Sequence, residues 1–317
     1  MRAVVALTVA LLAAAGCGGE DEPASSWRTL EPATLERTEV AAARVGRFVY
    51  VMGGFEPSRA TSAAVERYDL ENDRWSRVAD MPLALNHAAA VAHRGRVYVV
   101  GGYKTGLREE VATLYRYHPG RDRWRRLPSA PTKRGGLAAG VIRGKLYAAG
   151  GANTTGALAT LEIYDFRTRR WRRGPDLATP RDHLAGAVSG GRFYALAGRD
   201  SGTNYNLVEA YDPRARRWRE VPGMRKRRGG FGAATITGGR IVVAGGEESA
   251  GTIREVEVYD PETRRWRGLP HMPTPRHGLG VVARGRRVYT LEGGDSPGYA
   301  FTSAVEALEI RDRPRAR

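Results

Sequence analysis

Cysteine and lysine are scarce in this chain of 317 residues. With Cys17 as its one cysteine, the chain has no intramolecular disulfide, so its own core must hold the fold. Lysine supplies only Lys104, Lys133, Lys145 and Lys226, so arginine carries most of the net charge of +17. We find no phosphate-binding glycine loop and no nucleic-acid reader module. We therefore expect no cofactor and no nucleic-acid partner.

A hydrophobic run long enough to cross a membrane is also missing. The apolar stretch at residues 3–15 has 13 residues behind Arg2, which fits the core of a signal peptide over residues 1–16. Ala14-Ala15-Gly16-Cys17 resembles a bacterial lipobox, in which the cysteine is lipidated and becomes the new N-terminus. The alternative is ordinary cleavage after Ala15, with an incidental free thiol. We expect an exported protein anchored to the membrane through Cys17, with residues 17–26 as a flexible tether.

What the chain does contain is a repeat. Its six tryptophans are spaced 48, 49, 47, 47 and 48 residues apart, at Trp27, Trp75, Trp124, Trp171, Trp218 and Trp266. A second series keeps step: Gly53-Gly54, Gly101-Gly102, Gly150-Gly151, Gly198-Arg199, Gly245-Gly246 and Gly293-Gly294. Such a period indicates a repeat architecture in which each unit packs on its neighbours.

Each unit has the pattern of four short strands. A small-residue run such as Leu137–Val141 precedes an apolar run such as Val97–Val100, and the glycine pair follows. An alternating strand such as Val65–Asp69 then leads through a turn to the tryptophan strand. Four antiparallel strands in about 48 residues are typical of a β-propeller blade, with the small-residue strand nearest the axis.

The order of Gly-Gly, Glu-x-Tyr-Asp and Trp resembles the kelch repeat over nearly all of residues 27–310. The resemblance implies an all-β, six-bladed propeller of four-stranded antiparallel blades. The first tryptophan strand has no inner strand before it, and the last unit lacks a tryptophan strand. We therefore expect the N-terminal strand to complete the last blade and close the ring, leaving residues 311–317 as a basic tail. Kelch copper oxidases need a Cys-Tyr crosslink, which Cys17 is too distant to provide.

A ligand site is expected on the face that carries the variable loops. Five arginines precede the inner strands in register, at Arg37, Arg134, Arg181, Arg228 and Arg276, with Leu85 in the remaining unit. A ring of guanidinium groups at one end of the channel would suit a carboxylate, sulfate or phosphate. Tyr103, Arg199 and Tyr205 lie in the loops above and are added as ligand-binding candidates. The alternative is that these arginines hold neighbouring loops through backbone carbonyls.

Candidates for acid or base chemistry are few: Glu292, Glu39 and His183. Glu292 stands directly before its glycine pair, where the other units have apolar residues, and Arg199 replaces the second glycine of its pair. The alternative for Glu292 is a structural pair with a neighbouring arginine. His87 and His183 share a register position and His277 is one residue off. Since no carboxylate can be assigned to these histidines, we expect no metal site.

The favoured function is an extracytoplasmic binding module for an anionic glycan, an acidic peptide or a protein partner. One alternative is an enzyme resembling the six-bladed periplasmic kelch mutarotases of sialic acid. That resemblance implies an arginine that holds the sugar carboxylate and an acid or base such as Glu292, Glu39 or His183. Another alternative is a structural component of the cell envelope.

Overall fold

The computed structural model of this protein describes residues 25–311. The predicted signal peptide, Cys17, nearly all of the tether and most of the basic tail lie outside the described residues. The described chain forms six antiparallel sheets of four strands arranged around an axis, which confirms the predicted six-bladed propeller. Within residues 25–311, no helix is long and apolar enough to cross a membrane.

Each blade has four main strands, which follow one another from the axis outwards. Blade 1 consists of Ala41–Val45, Phe48–Met52, Val65–Asp69 and Arg74–Val78. Blade 2 consists of Ala89–His93, Arg96–Val100, Leu114–His118 and Arg123–Leu127. Blade 3 consists of Ala138–Ile142, Lys145–Ala149, Leu161–Asp165 and Arg170–Arg173. Blade 4 consists of Ala185–Ser189, Arg192–Leu196, Val208–Asp212 and Arg217–Val221. Blade 5 consists of Gly229–Thr235, Ile241–Glu248, Val256–Asp260 and Arg265–Leu269. Blade 6 consists of Gly280–Arg284, Arg287–Leu291, Val305–Glu309 and Ser26–Thr29.

Short hairpins decorate the loops between the second and third strands of several blades. They are Tyr103–Thr105 with Arg108–Glu110, Ala152–Asn153 with Gly156–Ala157, and Arg199–Asp200 with Thr203–Asn204. In blade 5, Gly251–Thr252 pairs with the end of the long second strand. A single 3₁₀ turn, Pro119–Arg121, completes the described elements. These hairpins and the loops that enter the inner strands share one face, which we call the axial face.

The N-terminal strand closes the ring. Ser26–Thr29 pairs antiparallel with Val305–Glu309, and Trp27 stands opposite Leu308. The Trp27 indole Nε1 donates to the carbonyl of Pro270 in blade 5 at 2.9 Å. Blade 6 therefore has all four strands and no exposed gap at the seam, as the sequence predicts.

The tryptophans join each blade to the one before it. All six indole Nε1 groups donate, at 2.7–2.9 Å, to a carbonyl just after the outer strand of the preceding blade. In five blades the ring also packs on the tyrosine of the third strand, with centroids 4.9–5.2 Å apart. The 48-residue spacing thus reflects one contact repeated around the ring.

A buried ion pair inside five of the six blades holds each inner-strand entry. The arginine before the inner strand pairs at 2.5–3.0 Å with a glutamate of the third strand. The pairs are Arg37–Glu66, Arg134–Glu162, Arg181–Glu209, Arg228–Glu257 and Arg276–Glu306. All ten side chains are buried. Blade 2 has Leu85 and Tyr115 at these two positions, so an apolar contact replaces the ion pair there.

Each arginine also fixes the backbone around it. Arg134 donates to the carbonyls of Ala148, Gly150 and Thr160 in its own blade. Its own carbonyl accepts from the N–H of Gly102 in the preceding blade at 2.8 Å. Gly101 has φ +68°, and a Cβ there would lie 2.6 Å from that same carbonyl oxygen. The glycine pair is therefore required because the backbones of adjacent blades meet at this point.

We expect the replacement Arg134→Leu to lower the free energy of unfolding by about 3–5 kcal/mol, because Glu162 is left buried without its partner. The double variant Arg134→Leu/Glu162→Tyr copies blade 2 and should recover most of that loss. Urea denaturation measures both. Arg77→Ala, which breaks an exposed pair with Asp80, is the control and should cost less than about 1 kcal/mol. Equal losses for the single and double variants would contradict the pairing argument.

Candidate functional site

The predicted arginine ring does not face a ligand. Arg37, Arg134, Arg181, Arg228 and Arg276 are each 0–1% exposed, and their guanidinium groups are bonded to glutamates and backbone carbonyls within the blades. The prediction that they bind an anion at the channel mouth is wrong, because these side chains run between the strands of their own blade. The alternative, in which they hold the loops, describes the structure.

The glycine pairs of blades 4 and 6 lie one residue earlier than the sequence pattern indicates. The N–H of Gly198 donates to Arg228 O, and the N–H of Gly293 donates to Arg37 O, the bond made by the second glycine in other blades. The first glycine is therefore replaced by Ala197, with φ +41°, and by Glu292, with φ +54°. Arg199 does not replace a glycine; it is the first residue after the pair.

Glu292 is a buried structural residue and lies outside the axial cavity described below. Arg37 donates to both of its carboxylate oxygens, at 2.8 and 2.9 Å, and also to Glu66 at 3.0 Å. Two buried carboxylates thus share one guanidinium group, which leaves one surplus negative charge. Burial, together with the repulsion by Glu66, outweighs Arg37 and raises the pKa of Glu292 to about 7. Its role as an acid or base acting on a ligand has no support from this position.

We expect Glu292 to make the fold less stable as the pH rises. The folded pKa of about 7 exceeds the ordinary value of 4.5, so folded protein binds the extra proton between these pH values. Stability present below pH 4.5 is lost as the pH passes through 7. Relative to Glu292→Gln, the wild type should lose about 2–3 kcal/mol between pH 5 and pH 8. Urea denaturation at both pH values measures this, and parallel pH profiles for the two proteins would contradict it.

A ring of backbone bonds surrounds the axis two residues after each arginine position. It includes His87 N–H to Glu39 O, Gly136 N–H to His87 O and Gly230 N–H to His183 O, at 2.9–3.1 Å. The residues at this position all have left-handed backbone, with φ between +47° and +66°. They are Glu39, His87, Gly136, His183, Gly230 and Gly278. Three blades therefore place a strained, non-glycine residue where the others have glycine.

The three non-glycine side chains meet at the axis. The Nε2 atoms of His87 and His183 are 3.1 Å apart, and His87 Nε2 is 3.2 Å from Glu39 Oε2. Gly136, the ring residue between the two histidines, has no side chain to separate them. These three residues offer one ligand atom each, all within 4.8 Å of one another, as in a site that could hold a metal ion.

The residue before each histidine orients its ring. His87 Nδ1 is 2.7 Å from Asn86 Oδ1, and His183 Nδ1 is 2.6 Å from Asp182 Oδ1. Asn86 is itself fixed, because its Nδ2 donates to Thr61 Oγ1 and to the carbonyl of Gly106. Both imidazoles are therefore held with Nδ1 as the donor and Nε2 directed to the axis.

His277 and Glu39 form the other side of the cluster. His277 Nδ1 lies 3.1 Å from Glu39 Oε1 and 3.6 Å from Glu247 Oε2. Burial opposes ionisation of Glu39, but His87 and His277 outweigh it and hold the pKa of its carboxyl well below the usual range. Burial lowers the pKa of His87 to about 4. For His277, the attraction of Glu39 and Glu247 exceeds the effect of burial and raises the pKa.

A cavity of ≈ 110 Å³ opens above this cluster on the axial face. Its lining consists of Glu39, Phe55, His87, Leu107, His183, Arg199, Glu247, His277, Gly298 and Tyr299. Arg199 pairs with Glu247 at 2.7 Å, so it contributes to the wall of the cavity and is not available as an isolated cation. Phe55 and Tyr299 meet edge to face, with centroids 5.1 Å apart.

The other predicted ligand-binding tyrosines lie behind or beside this wall. Tyr103 is buried, donates from its hydroxyl to Ala152 O at 3.0 Å and packs edge-on against His87. It therefore supports a site residue and does not contact a ligand. Tyr205 is half-buried at the base of its loop and is not part of the cavity wall.

Sequence reasoning placed Glu39 and His183 among the candidates but missed that they converge with His87. The arginine register contained the signal, because Glu39, His87 and His183 each stand two residues after that position. Asn86 and Asp182 were also missed. Their signal is the oxygen-bearing residue that directly precedes each histidine.

Comparison with known proteins identifies the class to which this propeller belongs. The model of the KLHDC2/KLHL20/DRC7 Kelch-repeats domain family matches residues 39–227 and 86–294. These overlapping matches cover well over half of the chain, so the chain belongs to this family of kelch-repeat domains. The resemblance predicted from the repeat pattern is confirmed.

Individual relatives match only part of their own length. Kelch-like protein terF of Aspergillus terreus is 36% identical over 109 residues, 30% of this chain and 24% of that protein. Human Kelch-like protein 34 is 36% identical over 78 residues, 24% of this chain and 12% of that protein. The chain thus spans about a quarter or less of these relatives.

A solved structure described as "Structure of YjhT" superposes with a TM-score of 0.77 at 16% identity, covering 89% of this chain and 97% of that one. At that identity the likeness shows the fold alone.

Proposed function

We propose that this kelch propeller is an extracytoplasmic interaction module that binds a protein partner on its axial face. The observation that carries the proposal is the position of the exposed apolar side chains. Among residues 25–311, the exposed large hydrophobic residues are Leu107, 58% exposed, and Tyr299, 45% exposed. Both line the axial cavity, although they come from blades 2 and 6. Exposed apolar groups around a polar pocket are typical of protein-binding sites.

The two residues are supported from below. Tyr299 packs on Phe55, and the guanidinium of Arg59 lies 5.2 Å from the centre of the Tyr299 ring. Leu107 stands at the turn of the hairpin formed by Tyr103–Thr105 and Arg108–Glu110. An aromatic ring held by neighbours loses little conformational freedom when a partner covers it, which favours affinity.

The size of the cavity favours a single side chain of a partner over a whole sugar. Its ≈ 110 Å³ is well below the roughly 300–1,000 Å³ of pockets that enclose a small-molecule ligand. The mutarotase alternative also loses its carboxylate-holding arginines, which are buried in the blades. Glu39 and His183 remain in the cavity wall, where they would contact the tip of an inserted side chain.

Charge favours an acidic partner. The net charge of +17 would steer a negatively charged protein towards the propeller and raise its association rate. The contribution is long-range, because the cavity itself contains Glu39 and Glu247. We therefore expect association to slow with added salt while the apolar contacts determine dissociation.

The double variant Leu107→Asp/Tyr299→Ser should weaken partner binding at least about tenfold, since it removes both apolar contacts. Crosslinking on intact cells followed by quantitative mass spectrometry measures which proteins the wild type and the variant retain. Arg94→Asp, in the exposed turn between the inner strands at the opposite face, is the control. It changes the net charge by more than the double variant does, so it tests whether charge alone explains a loss.

A partner that is retained equally by wild type and double variant would contradict the docking face. A partner lost equally from the double variant and from Arg94→Asp would show that net charge, and not the axial face, governs binding.

Anchoring through Cys17 is the second part of the proposal. Residues 14–17 support it by their resemblance to a lipobox, and Cys17 lies outside the described residues. We expect Cys17→Ser to move the protein from the membrane fraction to the soluble extracytoplasmic fraction, because a diacylated cysteine supplies stable membrane attachment. Fractionation and labelling with a fatty-acid analogue measure this. Label incorporated equally by wild type and Cys17→Ser would contradict lipidation at Cys17.

A further inference from the structure

We propose that Glu39, His87 and His183 bind one divalent transition-metal ion at the axis of the propeller. The proposal goes beyond partner docking, because the chain alone supplies the ligands. It also revises the expectation from the sequence that the histidines form no metal site. The missing carboxylate is Glu39, which occupies the same register position as the two histidines.

The spacing of the donor atoms fits one ion. His87 Nε2 lies 3.1 Å from His183 Nε2 and 3.2 Å from Glu39 Oε2, and all three ligand atoms lie within 4.8 Å. Metal–nitrogen and metal–oxygen distances of about 2.0–2.2 Å place neighbouring tetrahedral ligands roughly 3.4 Å apart. An ion at the centre would therefore reach all three with small side-chain adjustments.

The tautomers of the two histidines argue for a cation between them. Asp182 accepts from His183 Nδ1, and Asn86, whose amide nitrogen is occupied elsewhere, presents its oxygen to His87 Nδ1. The protons are therefore on Nδ1, and both Nε2 atoms carry lone pairs. Two lone pairs facing each other at 3.1 Å repel unless a positive charge lies between them. A carboxylate or amide behind a histidine is also the usual second shell of a metal ligand.

Glu39 is oriented in the same way. His277 holds Oε1 at 3.1 Å, while Oε2 faces His87. One oxygen is therefore fixed by a neighbouring imidazole and the other is directed to the proposed ion. Ligating carboxylates in proteins are commonly hydrogen-bonded in this manner.

Backbone strain is concentrated at these three ligands. Glu39, His87 and His183 have φ values of +56°, +51° and +47°, where glycine serves in blades 3, 5 and 6. Left-handed backbone costs a residue with a side chain about 1–2 kcal/mol. The fold accepts that cost at the three positions whose side chains converge, which points to a role for those side chains.

The donor set and the cavity indicate the class of ion. Two imidazole nitrogens and one carboxylate oxygen suit zinc, iron(II), cobalt or nickel and suit magnesium and calcium poorly. Three protein ligands leave an open coordination position, which would face the cavity between Phe55 and Tyr299. A carboxylate or imidazole from outside could complete the coordination there.

The test uses Co²⁺ and Zn²⁺ on chelator-stripped protein in a Cys17→Ser background, so that the free thiol contributes nothing. We expect one equivalent of Co²⁺ with a visible absorption band that Zn²⁺ displaces, and a Zn²⁺ Kd of micromolar or below by calorimetry. His87→Gly, His183→Gly and Glu39→Gly should each weaken binding at least about 100-fold. Asp182→Asn, which alters only the orienting partner, should weaken it about 10- to 100-fold.

Glycine is chosen because the equivalent positions in three blades are glycine, so these variants relieve strain and keep the fold. Their thermal melting in the presence of chelator should lie within a few degrees of wild type, and Zn²⁺ should raise the melting temperature of wild type only. His271→Gln, which removes an exposed histidine, is the matched control and should bind as wild type does. Absence of saturable binding below about 1 mM, or binding unchanged in the His87 and His183 variants, overturns the proposal. Neither result bears on partner docking, which is measured separately.

Discussion

The buried arginine–glutamate pair is the interaction on which this propeller depends. An isolated guanidinium or carboxylate inside the blade would be severely unfavourable, so the two groups must be placed together and their remaining hydrogen bonds filled. Arg134 shows how this is achieved, because it reaches Glu162 and three carbonyls of its own blade. Its own carbonyl then receives the Gly102 N–H of the previous blade. One side chain thus connects strand pairing within a blade to the spacing between blades, and the tryptophan bonds repeat that connection at the rim.

Because that scaffold is fixed elsewhere, the residues nearest the axis are free to differ. The position two residues after each arginine needs only left-handed backbone, which glycine supplies without strain. Side chains appear there in three blades and converge on one point. A repeated architecture with an unrepeated axial cluster is the arrangement expected when the fold supplies rigidity and a few substitutions supply chemistry. Burial separates the pKa values of the cluster, lowering that of His87 while the neighbouring carboxylates raise that of His277.

Sequence patterns predicted the blades well and the site poorly. Tryptophan and tyrosine spacing reports contacts made in every blade, so repetition reveals it. Glycine was less reliable, because left-handed backbone is kept at Ala197 and Glu292 although the residue has changed. That substitution displaced the register in two blades and gave Arg199 the wrong position. The arginines were placed correctly along the chain, but their direction depends on a glutamate some 30 residues away, which spacing does not show.

By itself, the sequence determined the all-β class, the number of blades and the closure by the N-terminal strand, because each follows from the order and count of a repeated unit. Tertiary structure alone decided which charged groups are buried and which side chains meet at the axis. Those outcomes depend on contacts between blades separated by 48 or more residues, as with Glu39, His87 and His183. A period records what every blade shares, whereas a site at the axis is built from the residues in which the blades differ.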